Sequence, residues 1–249
     1  MNIVCYGGGI NSTAMIVEMV NRGISIDLIL FADTGGEKPH TYKFIKTFNK
    51  WLKSNGCLEV TRVQTQDING SYISLEYRCL ITDSLPSKAY GFSSCSDKYK
   101  IRPQNKYINN WSPAKEEWKA GRKINKYIGF DAGESHRNKK YSDDKYNFVA
   151  PLIAWDYDRE YCIRIIADEG LPSPGKSSCF YCPHNKKHEI LEIQREYPEL
   201  MRRALKMESN ANLTTIKGLG RRFSWREFLD GQVPDDMPDV EICGTCYDG

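Results

Sequence analysis

Three consecutive glycines, placed directly after a short apolar segment, constrain the fold of this 249-residue chain more than any other feature. Asn2–Tyr6 has the pattern of a buried strand, the glycines follow it, and a helix is predicted over residues 11–22. A second strand is predicted at 26–32, a second helix from Pro39, a third strand at 58–63 and a fourth strand at 127–130. Strands and helices that alternate with short links predict an α/β fold with a doubly wound, mostly parallel sheet.

Composition is that of a globular protein with a substantial core. Hydrophobic residues make up 40% of the chain and charged residues 27%, and the formal net charge is +3. That balance does not require a nucleic-acid or membrane partner. No apolar run approaches the roughly 18 residues of a membrane span, and the N-terminus lacks a signal-peptide pattern. We therefore expect a soluble, cytoplasmic protein that does not associate with membranes.

The domain organisation is predicted from the change in pattern near residue 175. Residues 1–175 are expected to form a nucleotide-binding α/β domain. Residues 176–249 are expected to form a helical, cysteine-bearing part packed on that domain, with a long helix over 187–209 broken only near Pro198.

The glycine run favours phosphate binding over a simple tight turn. Glycines let the backbone approach a phosphate closely, and the following helix offers free N–H groups at its positive end. The spacing matches neither a Walker A loop nor the dinucleotide motif G-x-G-x-x-G. The predicted phosphate-binding residues of this loop are Gly7, Gly8, Gly9, Asn11, Ser12 and Thr13.

The loop resembles the pyrophosphate loop, Ser-Gly-Gly-x-Asp-Ser, of adenine nucleotide α-hydrolases and phosphoadenosine-phosphosulfate (PAPS) reductases. Gly8, Gly9 and Ser12 match, whereas Gly7 replaces the usual serine and Asn11 the usual aspartate. Ile10 occupies a position that is often lysine. These replacements weaken the implication of catalytic cleavage at the α-phosphate more than the implication of nucleotide binding.

Three later segments resemble the same family in the same order. Residues 31–35, Phe-Ala-Asp-Thr-Gly, resemble its strand-end motif, which implies that Asp33 and Thr34 lie near adenosine. Residues 129–137 resemble Gly-x-x-x-x-Glu/Gln-Ser-x-x-Arg, which implies nucleotide-binding roles for Gly129, Glu134 and Arg137, the last with phosphate or sulfate. Residues 151–172 resemble the reductases' Pro-Leu-x-x-Trp and Gly-Leu-Pro signature, which is largely structural.

A basic segment at 95–103 resembles the cysteine-containing Lys-x-x-Pro region of the reductases. The resemblance implies that Cys95 is a cluster ligand and that Lys98 and Arg102 contact phosphates. Ser94 replaces the first of the two adjacent cysteines found in cluster-bearing members. A solvated basic loop is the alternative interpretation.

Two Cys-x-x-Cys pairs, Cys179/Cys182 and Cys243/Cys246, leave several chemistries open. Two such pairs can complete a tetrahedral zinc site. Cys95 with Cys179 and Cys182 can instead hold a [4Fe-4S] cluster, whose last ligand is Cys243, Cys246 or substrate. A redox pair and unligated thiols are the remaining alternatives.

The C-terminus resembles the reductases' Glu-Cys-Gly-(Leu/Ile)-His sequence, whose cysteine attacks a sulfonyl group. Glu241-Ile-Cys243-Gly244 matches it in part, because an isoleucine separates the acid from the cysteine. The predicted catalytic residues are therefore Cys243 and Cys246.

The resemblance implies an enzyme of sulfur metabolism that binds an adenine nucleotide and reduces a sulfonucleotide such as PAPS with a thioredoxin-like reductant. The alternative is an ATP pyrophosphatase, with Mg²⁺, that adenylates and thiolates a nucleobase in RNA or DNA. Residues 98–140 support the alternative, because they hold twelve Lys or Arg against four Asp or Glu. Interleaved with them are aromatic residues that include Tyr107, Trp111, Trp118 and Tyr127. A non-catalytic nucleotide-binding regulator is the third hypothesis.

Overall fold

Five parallel strands form the central sheet of the protein, in a computed structural model that describes residues 1–86, 88–89, 92–137 and 143–232. A two-stranded antiparallel hairpin lies apart from that sheet. The strands are β1 (Asn2–Tyr6), β2 (Leu28–Asp33), β3 (Thr61–Gln64), β4 (Lys88–Ala89), β5 (Phe92–Ser93), β6 (Ile124–Ile128) and β7 (Tyr146–Val149).

Helices connect most of the strands and form the C-terminal part. They are α1 (Ile10–Asn21), α2 (Pro39–Ser54), α3 (Leu75–Ile81), α4 (Ser94–Ser96), α5 (Arg102–Asn110), α6 (Ser112–Lys119), α7 (Pro151–Ala154), α8 (Arg159–Asp168), α9 (Lys187–Glu196), α10 (Pro198–Asn210) and α11 (Trp225–Leu229). A π-helical turn, Asp97–Ile101, joins α4 to α5, and a 3₁₀ helix, Ala132–Arg137, follows β6.

The strand order, β3-β2-β1-β6-β7, confirms the predicted doubly wound α/β fold. On one side of β1 the register pairs Ile3 with Leu28, and on the other side it pairs Ile3 with Lys126. The order of the strands along the chain reverses between β1 and β6. Open α/β sheets bind their ligands at such a switch point, beyond the carboxyl ends of the strands.

Successive side chains of a strand point to opposite faces of the sheet, and they form two separate cores, one on each face. Val4 and Phe31 point into the core that contains α1, α2 and α8. Ile3 and Leu30 point into the core that contains Ile108 of α5 and residues of α6. Because both faces are covered, β2 is buried along its whole length and is apolar up to Asp33.

A third core belongs to the helical C-terminal part, and it also takes in residues from 75–99. Glu208 of α10 stabilises this part, because its carboxylate accepts hydrogen bonds from the backbone N–H groups of Leu219 (2.7 Å) and Trp225 (2.8 Å). The predicted break near Pro198 is confirmed, since α9 ends at Glu196 and α10 begins at Pro198. The proposed boundary at residue 175 stays a prediction.

Several element bounds differ from the sequence-based expectation. The fourth strand of the sheet along the chain occupies Ile124–Ile128 rather than 127–130, and β3 begins at Thr61 rather than at residue 58. In each case the strand end lies next to a polar or glycine-containing segment, where the residue pattern does not define the boundary. None of the helices in the described ranges is both long and apolar enough to cross a membrane.

Candidate functional site

Four segments of the chain meet at the switch point and enclose a cavity of about 380 Å³. One is the glycine loop between β1 and α1, and a second follows β6. A third segment, 175–189, comes from the start of the C-terminal part, and the fourth is the start of α8 at Arg159. The loop between β2 and α2 packs behind the glycine loop. The lining of this cavity includes Gly9, Ile10, Asn11, Glu134, Arg159, Lys176, Cys182 and Lys186.

The glycine loop has the geometry that phosphate binding requires. Gly8 has a φ of +81°, which residues with a side chain rarely adopt, and a Cβ atom there would lie 3.0 Å from Thr41 Cγ2. Gly9 caps α1 in an extended conformation without a side chain over the helix end. The first N–H groups of α1 are consequently directed at the cavity, where an anion would be stabilised.

Two predicted phosphate donors, Ser12 and Thr13, instead hold the loop in shape. Ser12 Oγ accepts a hydrogen bond from the Gly7 N–H at 3.2 Å, and Thr13 Oγ1 donates to the Gly9 carbonyl at 2.8 Å. Both residues are fully buried. Their hydroxyl groups therefore fix the backbone that lines the cavity.

Gly129 brings the end of β6 into contact with the glycine loop. A Cβ atom at this position would lie 2.7 Å from both Cα and N of Ser12. Backbone atoms cannot move aside as a flexible side chain can, so any larger residue would displace the start of α1. The structure thus places Gly129 at the site, as the sequence motif implied.

Asn11 lies between two carboxylates at the rim of the cavity. Its Nδ2 donates to Asp131 Oδ2 and to Glu134 Oε2, each at 3.0 Å. Its buried Oδ1 has no hydrogen-bond partner among the described residues. Asp131 was not identified from the sequence, although it lies only two residues after Gly129.

Arg137, the predicted phosphate or sulfate ligand, is buried beside the cavity. Its side chain is 2% exposed, forms an ion pair with Glu134, and stacks 4.6 Å from the centre of the Phe130 ring. Within the described part of the chain, Nε and Nη2 of Arg137 have no hydrogen-bond partner. Its role as a ligand stays a prediction.

Asp33 is fully buried at the end of β2, and protein donors occupy its carboxylate. It accepts hydrogen bonds from the Gly35 N–H (2.8 Å), the Tyr42 hydroxyl (2.7 Å) and Gln64 Nε2 (3.2 Å), and it forms an ion pair with Arg62. Burial, followed by the hydrogen bond to Asp33, raises the pKa of Tyr42. Asp33 therefore fixes the loop near the predicted adenosine position, and direct ligand contact by it stays a prediction.

Sequence reasoning missed the cationic wall of the cavity. Lys176 Nζ donates to Glu189 Oε2 at 2.9 Å, and Ser177 Oγ donates to the Gly7 carbonyl at 2.5 Å. Burial acts to raise the pKa of Glu189, but hydrogen bonds from Lys176 and the Lys186 N–H hold it below its usual value. The overlooked signal was the sequence Gly-Lys-Ser-Ser at 175–178, a set of residue types typical of phosphate sites.

The structure does not bring Lys98 or Arg102 to this cavity. Arg102 Nε donates to Asp97 Oδ2 at 2.7 Å, and its side chain is 67% exposed. Lys100 of the same π-helical turn instead lines a small cavity behind the loop, together with Gly7 and Glu37. Phosphate contact by Lys98 and Arg102 stays a prediction.

The first cysteine pair is attached to the loop that follows β2. Cys179 Sγ lies 3.0 Å from Thr34 Oγ1, and the Phe180 N–H donates to the Gly36 carbonyl at 2.8 Å. A turn closed by the Cys182 N–H and the Cys179 carbonyl brings Cys182 to the cavity wall. Burial raises the pKa of the Cys179 thiol.

The described residues do not complete the predicted metal site. Cys95 packs against the same apolar core as Cys179 and Cys182. Even so, no group of three or more His, Cys, Asp or Glu side chains within the described ranges is arranged to hold a metal ion. Cys243 and Cys246, predicted as catalytic residues and as metal ligands, lie outside the described residues. The zinc or [4Fe-4S] site stays a prediction, and no chemical step is derived through it.

Comparison with known proteins finds solved structures of similar fold. The chain is similar to the U34-tRNA thiolase NcsA from Methanococcus maripaludis with its [4Fe-4S] cluster, at 12% sequence identity and a TM-score of 0.44. The similarity covers 97% of this chain and 83% of that one. No protein-family model and no curated protein matches the sequence. A likeness of this degree assigns no activity to the chain.

Proposed function

We propose that this protein is an ATP pyrophosphatase, an enzyme that activates an acceptor oxygen with ATP and releases pyrophosphate. The observation that carries the proposal is the composition of the cavity at the switch point. The N-terminus of α1, at Gly9 and Ile10, lines the same cavity as the cationic side chains of Arg159, Lys176 and Lys186. Backbone N–H groups opposite several cations suit a polyphosphate better than a single phosphate.

The carboxylates beside the loop favour a magnesium-bound nucleotide. Glu134 lines the cavity, and Asp131 lies on the other side of the Asn11 amide. Two carboxylates would repel a bare polyphosphate, whereas Mg²⁺ is commonly held by one or two carboxylates together with substrate phosphates. Asp131 and Glu134 fit this role and would take the place of the aspartate that Asn11 replaces. Bound Mg²⁺ would neutralise charge on the phosphates.

The residues of this chain would bind, orient and neutralise the nucleotide. The α1 N-terminus would hold one phosphate, and Lys176 and Lys186 would offset the negative charge that builds up on pyrophosphate as it leaves. An acceptor oxygen would form a bond to the α-phosphorus while the bond from that atom to the bridging oxygen breaks. The products would be an adenylated acceptor and pyrophosphate, and the acceptor we propose is a nucleobase carbonyl in RNA or DNA.

Reduction of a sulfonucleotide is the second function that the site supports. The Cys182 thiol lines the same cavity as the glycine loop, so sulfur chemistry next to a bound nucleotide is feasible. In that reaction a cysteine thiolate would attack the sulfur, the bond from sulfur to the phosphate oxygen would break, and a thiol reductant would then release sulfite. Cys243 and Cys246 stay the predicted attacking residues.

One experiment separates the functions. The protein is incubated with MgATP and unmodified RNA or DNA, or with PAPS and a dithiol, and the products are resolved by chromatography. Pyrophosphate release that depends on nucleic acid, together with transfer of AMP to that nucleic acid, supports the first proposal, and sulfite release supports the second. Nucleotide binding without either product would overturn both and favour a regulator. Asn11→Ala provides a variant in which the loop fold is retained but the carboxylates lose their orienting amide.

A further inference from the structure

A second cavity, of about 560 Å³, lies between β3 and α5, outside the phosphate site. Its volume is within the range of ligand pockets in proteins. Lys106 and Arg62 are the charged residues that line it, and the lining contains no carboxylate. An anionic ligand therefore matches the charge of this cavity, which we call the β3–α5 cavity.

Aromatic and amide side chains make up most of the rest of the wall. Tyr72 is 44% exposed and Tyr107 36%, so their rings are available to a ligand. Trp111 and the amides Gln66 and Asn110 also line the cavity. Lys106 Nζ donates to Gln66 Oε1 at 2.9 Å, which fixes the position of its charge.

Four of the aromatic residues in the basic segment 98–140 divide into two groups, and the other two, Tyr99 and Phe130, are buried. Trp118 packs edge-on against Tyr146, with ring centres 5.8 Å apart, and Tyr127 packs on the core that contains α1. Tyr107 and Trp111 instead line the β3–α5 cavity. The fold therefore brings only the second pair together at a surface that a ligand can reach.

The β3–α5 cavity shares a wall with the nucleotide side of the sheet. Arg62 and Gln64 line it and both bind Asp33, which in turn accepts a hydrogen bond from the Gly35 N–H. The Tyr72 hydroxyl packs directly on Gly35. A ligand in the cavity would consequently lie next to the loop that follows β2.

We propose that the β3–α5 cavity binds unpaired nucleotides of a nucleic-acid strand. Aromatic rings stack on bases without regard to sequence, amides bond to base edges, and Lys106 and Arg62 match the phosphates. The inference rests on the proposed function, because it names the strand that carries the acceptor base.

The test measures the binding of fluorescently labelled twelve-nucleotide strands, one of RNA and one of DNA, by anisotropy at fixed salt. Lys106→Ala and Tyr107→Ala should each weaken binding of at least one strand about tenfold or more. Lys119→Ala removes an equal charge from an exposed position on α6 and should change the affinity less than twofold. Thermal melting of each variant identifies any loss of folded protein, and the better-bound strand identifies RNA or DNA.

Calorimetry with MgATP on the same variants separates this inference from the proposed function. Unchanged ATP affinity in Tyr107→Ala, together with weaker strand binding, supports a separate nucleic-acid site. Loss of ATP affinity in Tyr107→Ala, or displacement of the strand by ATP, would overturn it, because the cavity would then hold adenosine. Strand binding equal to that of the unmodified protein in both variants would also overturn it. If the unmodified protein binds the strand but not ATP, the proposed function fails while the nucleic-acid site stands.

Discussion

The hydroxyl oxygen of Thr34 lies 3.0 Å from the sulfur of Cys179, and this contact joins the loop after β2 to the first cysteine pair. The backbone contact between Gly36 and Phe180 supports the same junction. A side chain at Gly36 would overlap the ring of Tyr181, so the two segments are packed as closely as they can be. The loop after β2 and the first cysteine pair are therefore packed directly against each other.

Thr34→Val should destabilise this junction. Thr34 Oγ1 also accepts a hydrogen bond from the Gly36 N–H at 3.2 Å, so valine leaves a buried N–H without its partner. We expect a loss of about 1–3 kcal/mol in the free energy of unfolding, measured by urea denaturation. Thr34→Ser keeps the hydroxyl and should lose less. Equal stability of the valine and serine variants would contradict the importance of the contact.

Gly8→Val should abolish nucleotide binding. The φ of +81° strains a β-branched residue, and the added atoms would meet the side chains of Thr41 and Phe31. Gly56→Val is the matched control, because Gly56 has a φ of +69° and no atom within 4 Å of its Cβ position. Both variants should lose about 1–3 kcal/mol of stability, but only Gly8→Val should lose binding in a calorimetric titration. Normal binding by folded Gly8→Val would mean that the loop is only a turn.

Cys179→Ala should remove bound metal if the cysteine pair is a ligand pair. Protein purified without oxygen would be analysed for zinc, iron and labile sulfide, and the variant should lose metal and soluble yield together, because metal binding also stabilises the fold. Cys57→Ala is the control, because Cys57 packs on the core that contains α1 and not on the core that contains Cys179. Full metal content in Cys179→Ala would disprove this role.

Cys162 should make the stability depend on alkaline pH. Burial, together with the charges of Asp131 and Asp158, raises the pKa of this thiol from 9.0 to about 12. Its neutral form is therefore favoured by folding, so its contribution is complete below pH 9 and is lost as pH rises towards 12. The gap in unfolding free energy between the unmodified protein and Cys162→Ala should narrow by about 2 kcal/mol from pH 8 to pH 10.5. A constant gap would be evidence against a raised pKa.

The sequence predicted the parts of the protein whose pattern is local. The strand, glycines and helix at residues 2–22 follow from adjacent residues, and so does the break at Pro198. The cationic wall of the cavity could not be predicted in this way, because tertiary packing brings Lys176 to the glycine loop from more than 160 residues away in the chain. The π-helical turn Asp97–Ile101 could not be predicted either, because no simple periodicity indicates it.

The claim that the cavity at the switch point binds a polyphosphate is tested most directly by calorimetry with MgATP and AMP on the same protein. Because the loop and Lys176 contact phosphates in this account, MgATP should bind at least tenfold more tightly than AMP. Lys176→Ala should remove most of that difference, and omission of Mg²⁺ should reduce it through the carboxylates of Asp131 and Glu134. Equal affinities for ATP and AMP, or a Lys176→Ala protein that still prefers ATP tenfold, would contradict the account.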